Sequence, residues 1–246
     1  MPTKAQMPLE KLMRERQSVR MPYDADNPIS NEDLAQIIEA GRWAPTAHNM
    51  QNFEIVVVDD KDLLNAIGEI PMHRSMTFIR ENYPLLSFSE EELKQRKVGI
   101  LGTQFPPEWL DPENFDALEE SEETQNSGLG QPIQNGPVLL VILYDPTKRA
   151  PASEGDFLGA ISLGCIMENI WLMANSLGVN VHIVSSLASE SVAAELKSLL
   201  KIPDPWKIAF TMRLGYLSHP FKYLRVRREI PDFVHHNQYG QYGLDS

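Results

Sequence analysis

Three clusters of side chains in this chain are of types and spacings that could do chemistry. Arg14, Arg16, Ser18 and Arg20 fall within seven residues near the amino end, and Arg225, Arg227 and Arg228 fall within four near the other. Between them, RWAPTAHNMQNFEIVVV (42–58) packs Thr46, Ala47, His48, Asn49 and Gln51 into one short crossing from a helix-like to a strand-like run. Guanidinium forks match the oxygens of a phosphate and bind it with charge-assisted hydrogen bonds. In a chain of formal charge −12, two arginine clusters therefore point to an anion site, with surface charge answering the acidic excess as the alternative.

Other constellations carry less. Gly128-Leu129-Gly130 neither follows a strand nor opens a helix at dinucleotide spacing. No phosphate-cradling GxxxxGK[ST] stretch and no nucleophile elbow is present. His235 and His236 are adjacent in an irregular tail, whereas a metal needs ligands converging from one face. His182 lies in a strand pattern and reads as a satisfied core histidine. Cys165, the only cysteine, lies in an apolar helix and reads as an inert buried thiol.

The elements that must position these groups follow from periodicity. Leu9–Arg16 reads as a short charged helix. Ser30 caps a second helix, with Asp33 in the capping-box position and Leu34, Ile37, Ile38 and Gly41 on one face, and Pro45 stops it. Phe53–Val58 reads as a buried strand and Asp60–Ile67 as a helix. Val138–Tyr144, a near-continuous apolar run, reads as a central strand. Phe157–Leu177 is a helix apolar almost all round, with Ser162, Glu168, Asn169 and Asn175 as its main polar residues and Gly178 closing it. A helix with so little polar face must be covered on most sides, which points to a subunit interface. Val179–Val184, Ser189–Leu200 and Trp206–Gly215 read as strand, amphipathic helix and final core strand. The tail from Arg225 reads as polar and irregular.

One domain over 1–246 is expected, with an insertion at about 71–135. That insertion holds six prolines and, from Glu108 to Glu123, eight acidic residues and no basic one; it reads as a solvated loop or as a lid over a ligand site. The acidic balance argues against a nucleic-acid partner. A single cysteine excludes an intramolecular disulfide. No apolar signal core or uninterrupted membrane-length run appears, so a cytoplasmic protein without membrane contact is expected.

RERQSVR (14–20), RWAPTAHNMQNFEIVVV (42–58), MENIWLMANSLGV (167–179) and MRLGYL (212–217) together resemble the FMN-dependent nitroreductase family, in order along the chain. The resemblance implies an α+β fold, a mostly antiparallel sheet flanked by helices, in an intertwined homodimer with two FMN sites at its interface. It implies that Arg16, Ser18 and Arg20 hold the FMN phosphate and ribityl chain, with Gln17 beside them. Pro45, Thr46, Ala47, Asn49 and Gln51 map onto a loop that reaches the flavin from the partner subunit. Ala47 stands where the family usually has a hydroxyl, and Asn52 where it usually has proline; His48 has no counterpart role. After the long helix, Val184, Ser185 and Ser186 fall where relatives place backbone N–H groups against the isoalloxazine, and Arg225 or Arg227 matches a carboxy-terminal arginine. The implied activity is ping-pong electron transfer from NADPH or NADH through FMN to a small aromatic acceptor, a nitroaromatic or quinone, with no side chain acting as nucleophile or base. The alternatives are a specialised reaction on the same scaffold (reductive dehalogenation, flavin fragmentation or heterocycle oxidation) and a flavin-binding protein without turnover.

Overall fold

The computed structural model describes residues 8–72, 80, 86–104, 111, 113, 115 and 131–244. By internal contact the chain forms two compact units, Met1–Met72 with Gly128–Phe221, and His73–Ser127 with Lys222–Ser246.

The first unit is built on a four-stranded sheet of β1 (Glu54–Val58), β4 (Val138–Tyr144), β5 (Asn180–Ile183) and β6 (Lys207–Gly215), in the order β1-β4-β6-β5, every pair antiparallel. β4 sits inside the sheet, and its apolar run is explained by burial on both faces. Val138, Leu140 and Ile142 enter one core, and Leu139, Val141 and Leu143 the other. Period-two alternation thus feeds two layers from one strand.

Helices α2 (Asn31–Arg42) and α6 (Phe157–Ser176) supply Ile37, Ile166 and Ile170 to the first core. On the opposite face, α3 (Lys61–Gly68) and α7 (Glu190–Leu199) supply Leu64, Ile67 and Leu196. Ser30 Oγ accepts from the Asp33 N–H at 3.0 Å and starts α2. Asp60 is the cap of α3 rather than its first residue, its carboxylate accepting from the Leu63 N–H at 2.9 Å. α2 ends at Arg42, short of Pro45, because proline already disfavours the helical region for the residue before it. Gly178, at φ +78°, lets the Val179 N–H return to the Ala174 carbonyl and close α6.

Helix α6 departs from full coverage. Ile166, Ile170, Trp171 and Ala174 are buried, but Phe157 and Ile161 are 68% and 46% exposed. Ala160 and Gly164 are exposed as well, so the four residues form a stripe at helical spacing. By length and composition, Glu154–Ser176 is apolar enough to cross a membrane, a property that uninterrupted apolar runs did not reveal. Its polar side chains are nevertheless tied into the fold. Ser162 accepts from the Ala47 N–H, Glu168 lies 3.1 Å from Arg16, and Asn169 donates to the Ala40 carbonyl.

Helix α1 (Leu9–Glu15) precedes a segment that runs beside β5. Ser18 forms a parallel bridge with Val181, and the Val19 N–H donates to the Val181 carbonyl at 2.8 Å. This pairing covers an otherwise open sheet edge.

In the second unit, β2 (Ser87–Phe88) pairs in parallel with β3 (Ile100–Leu101), around α4 (Glu90–Arg96). The Ser89/Glu92 capping box starts α4, an element that weak periodicity had hidden. The tail is not irregular throughout. His235 pairs with Tyr242 across a turn, and its ring packs 4.4 Å from both Tyr239 and Tyr242. The acidic stretch expected as loop or lid lies almost wholly outside the described residues. The short helix α5 (Gln131–Gln134) leads into β4 in the first unit.

Candidate functional site

The edge of β5 gathers the amino-terminal candidates. Pairing with Val181 lays Arg16–Arg20 alongside β5, and the same strand leads directly into Val184–Ser186. Segments about 165 residues apart in the sequence become neighbours. The Arg16 guanidinium lies 4.5 Å above the Trp171 ring, and its Nε is 3.1 Å from the Glu168 carboxylate. That distance is an ion pair's, but the N–H is not aligned for a hydrogen bond, and among the described residues Nε is a buried donor with no hydrogen-bond acceptor. Stacking and charge thus hold the guanidinium still. Gln17 donates to the Phe221 carbonyl at 2.7 Å, and Arg14 is tied back to Glu10 along α1.

Val184 is buried and pinned both ways: its N–H donates to the Thr211 carbonyl, and its carbonyl accepts from Thr211 Oγ1 at 2.8 Å. Ser185 and Ser186 open a single 3₁₀ turn.

Next to this segment lie two groups that sequence reasoning did not assign to the site. Arg213, fully buried, stands opposite His182 in the β5–β6 register. It donates to the carbonyls of Val19 (3.2 Å) and Met21 (2.8 Å) and stacks on Tyr23 at 4.1 Å. His182 is not a satisfied core histidine: its Nδ1 is buried without a hydrogen-bond partner among the described residues. Burial first, then the positive charges of Arg213 and Arg20, push its pKa down to about 3. Cationic groups therefore cluster along this edge, and a negative ligand is the species such a field favours. Only strand register could reveal the cluster. Cys165 is half-buried rather than buried.

The second candidate segment lies elsewhere in the same unit, against α6. Ala47–Asn49 is a single 3₁₀ turn in which His48 is left-handed, and Asn49 and Gln51 are left-handed too, at φ +51°, +53° and +48°. Three such residues store strain of roughly 1 kcal/mol or more each, which persists only where surroundings over-determine the chain. Thr46 Oγ1 accepts from the Gln51 N–H across the loop, and Gln51 donates to the Asn49 side chain. Pro45 stands where α2 gives way to this turn.

The loop walls a cavity of about 510 Å³. Thr46, Ala47, Phe53, Tyr144, Leu163 and Phe210 line it, a largely apolar and aromatic enclosure suited to a flat ring. Arg225 and Arg227 belong to the second unit, where Arg227 donates to the Val226 carbonyl. Among the described residues, no group of three or more His, Cys, Asp or Glu could hold a metal ion.

Fold and site define an α+β domain with a cationic sheet edge and a strained loop beside an apolar cavity. The family model of the nitroreductase family matches residues 13–216, and the chain belongs to that family. An NADPH-dependent oxidoreductase of Staphylococcus haemolyticus (strain JCSC1435) is 22% identical over 204 residues, 83% of this chain and 62% of that protein. An NADPH-flavin oxidoreductase of Vibrio harveyi is 29% identical over 140 residues, 53% of this chain and 56% of that protein. The chain thus spans about three fifths of the length of these curated relatives. Among solved structures, a nitroreductase with bound FMN from Bacteroides fragilis NCTC 9343 superposes with a TM-score of 0.57 at 18% identity, covering 98% of this chain and 100% of that one. The fold is therefore the nitroreductase fold.

Proposed function

We propose that the chain is an FMN-dependent oxidoreductase that passes electrons from NADPH or NADH to a small aromatic acceptor, a nitroaromatic or quinone. The observation that carries this reading is the course of Arg16–Arg20 along β5, beside Val184–Ser186, with the buried Arg16 Nε ion-paired to Glu168 but without a hydrogen-bond acceptor among the described residues. A phosphate fits that donor set, since a guanidinium already immobilised on Trp171 loses little freedom on binding it.

In this reading the flavin supplies the two-electron chemistry. Arg16, Ser18 and Arg20 bind its phosphate and ribityl chain, with Gln17 beside them, while backbone N–H groups of Ser185 and Ser186 meet the ring; Val184, whose N–H is already given to the Thr211 carbonyl, anchors that turn instead. Pro45, Thr46, Ala47, Asn49 and Gln51 form a wall offered to the partner subunit's flavin, and the adjoining cavity excludes water from the acceptor. The exposed stripe on α6 supports a homodimer in which a second copy buries it.

The test is the visible spectrum of the purified protein, followed by FMN titration and anaerobic addition of NADPH and NADH. Flavin reduction by either nicotinamide, followed by reoxidation with a nitroaromatic, is expected. Arg16→Ala or Arg20→Ala should weaken FMN binding by roughly 1.5–3 kcal/mol, the worth of a hydrogen bond to a charged group. Unchanged flavin retention in both variants would remove the phosphate assignment.

A further inference from the structure

We propose that Ser162 and Asn52 are positioning residues that clamp the 46–51 loop from its two ends. The proposal rests on the reading above for its functional part, and on bonds within one chain for its structural part.

At the loop's start, Ser162 of α6 accepts the Ala47 N–H at 2.9 Å and donates its own proton to the Leu158 carbonyl at 2.8 Å. The hydroxyl is buried, and both its roles are used. Donating backward along its own helix fixes its lone pairs toward Ala47. At the loop's end, the Asn52 side chain makes three bonds to the turn after β4. Its amide donates to the carbonyls of Asp145 (2.9 Å) and Lys148 (3.1 Å), and its oxygen accepts from the Asp145 N–H (3.1 Å). That turn is itself held: the buried Asp145 carboxylate accepts from the Thr147 N–H and hydroxyl at 2.9 and 2.6 Å and lies 3.3 Å from Lys148 Nζ.

Between the clamps stand His48, Asn49 and Gln51, each left-handed, with the Thr46 hydroxyl bridging to the Gln51 N–H. The loop's internal bonds span only a few residues and do not say where it sits relative to the sheet. The two clamps do, one through the long helix and one through the central strand. Ser162 and Asn52 also line the cavity, so the groups that fix the loop are part of the wall it completes. Asparagine suits the second position because its amide carries two donor hydrogens and an acceptor oxygen, and the three bonds to the turn use all of them.

The experiment compares Ser162→Ala, Asn52→Ala, their double variant and Ser162→Thr with the natural chain. Hydrogen exchange of the peptides spanning 46–52, thermal midpoint and FMN affinity are read for each. Faster exchange confined to this segment is expected in the alanine variants, with FMN affinity lower by roughly five- to tenfold, the equivalent of one neutral hydrogen bond. Ser162→Thr, which keeps the hydroxyl, should restore both. Unchanged exchange in the double variant overturns the clamp. Faster exchange with FMN affinity unaltered overturns its role in positioning. Failure of the natural chain to bind FMN sinks the oxidoreductase reading instead, while the exchange data still decide the clamp.

Discussion

His182 should make this protein acid-sensitive in a window where carboxylates contribute little. It lies on β5 opposite Arg213, with Nδ1 buried and without a hydrogen-bond partner among the described residues, and burial, Arg213 and Arg20 hold its pKa down to about 3. In the unfolded chain an imidazole titrates near about 6.5. A depressed folded pKa means that the unfolded state binds the proton first as pH falls. The stabilising effect is therefore complete above the unfolded pKa and is lost progressively as pH drops toward the folded one. Between about pH 7 and pH 5, linkage through these two values removes about 2 kcal/mol, a result insensitive to the folded pKa while it stays below about 4. For a chain of this length that corresponds to a thermal midpoint lower by roughly 4–8 °C. The assay is denaturation of the natural chain and His182→Gln at both pH values and equal protein concentration. Glutamine does not titrate, so the variant should lose that much less stability on acidification. Parallel pH dependences in the two proteins would refute the reasoning.

Two further perturbations test the packing. A Cβ at Gly215 would stand 2.5–2.8 Å from atoms of Tyr23, whose ring carries the Arg213 guanidinium at 4.1 Å. Gly215→Ala should therefore cost about 1–3 kcal/mol in urea denaturation, and an unchanged midpoint would show that the ring yields freely. Ile161→Lys places a charge in the exposed α6 stripe of Phe157, Ala160, Ile161 and Gly164. Light scattering should show a dimer for the natural chain and dissociation for the variant; a natural chain that is monomeric would end the interface assignment.

Much of the fold was legible because its signals are local. The Ser30 cap, the 138–144 run and the apolar 157–177 segment each state their structure within a few residues, and the elements appear within one or two residues of the expected bounds. The capping box Ser89/Glu92 was equally readable but was obscured by the weak periodicity around it. The tail's His235–Tyr242 pairing was not readable, since residues seven apart meet there through a turn that polar composition does not specify.

The sequence by itself determined which residue types were available for an anion site, where helices and strands run, and that one strand is buried on both faces. Its motifs also sufficed for the family resemblance, which the family match over 13–216 bears out. Tertiary structure alone decided which of these residues meet. Ser18 reaches β5 through a bridge spanning more than 160 residues, and His182 faces Arg213 because antiparallel register puts both on one side of the sheet. The same holds for Asn52, which reads as a departure from a motif until the turn at Asp145–Lys148 is placed beside it. Local propensity fixes backbone conformation over a turn or two, whereas these partnerships depend on strand order and helix packing, which only the whole chain's burial selects.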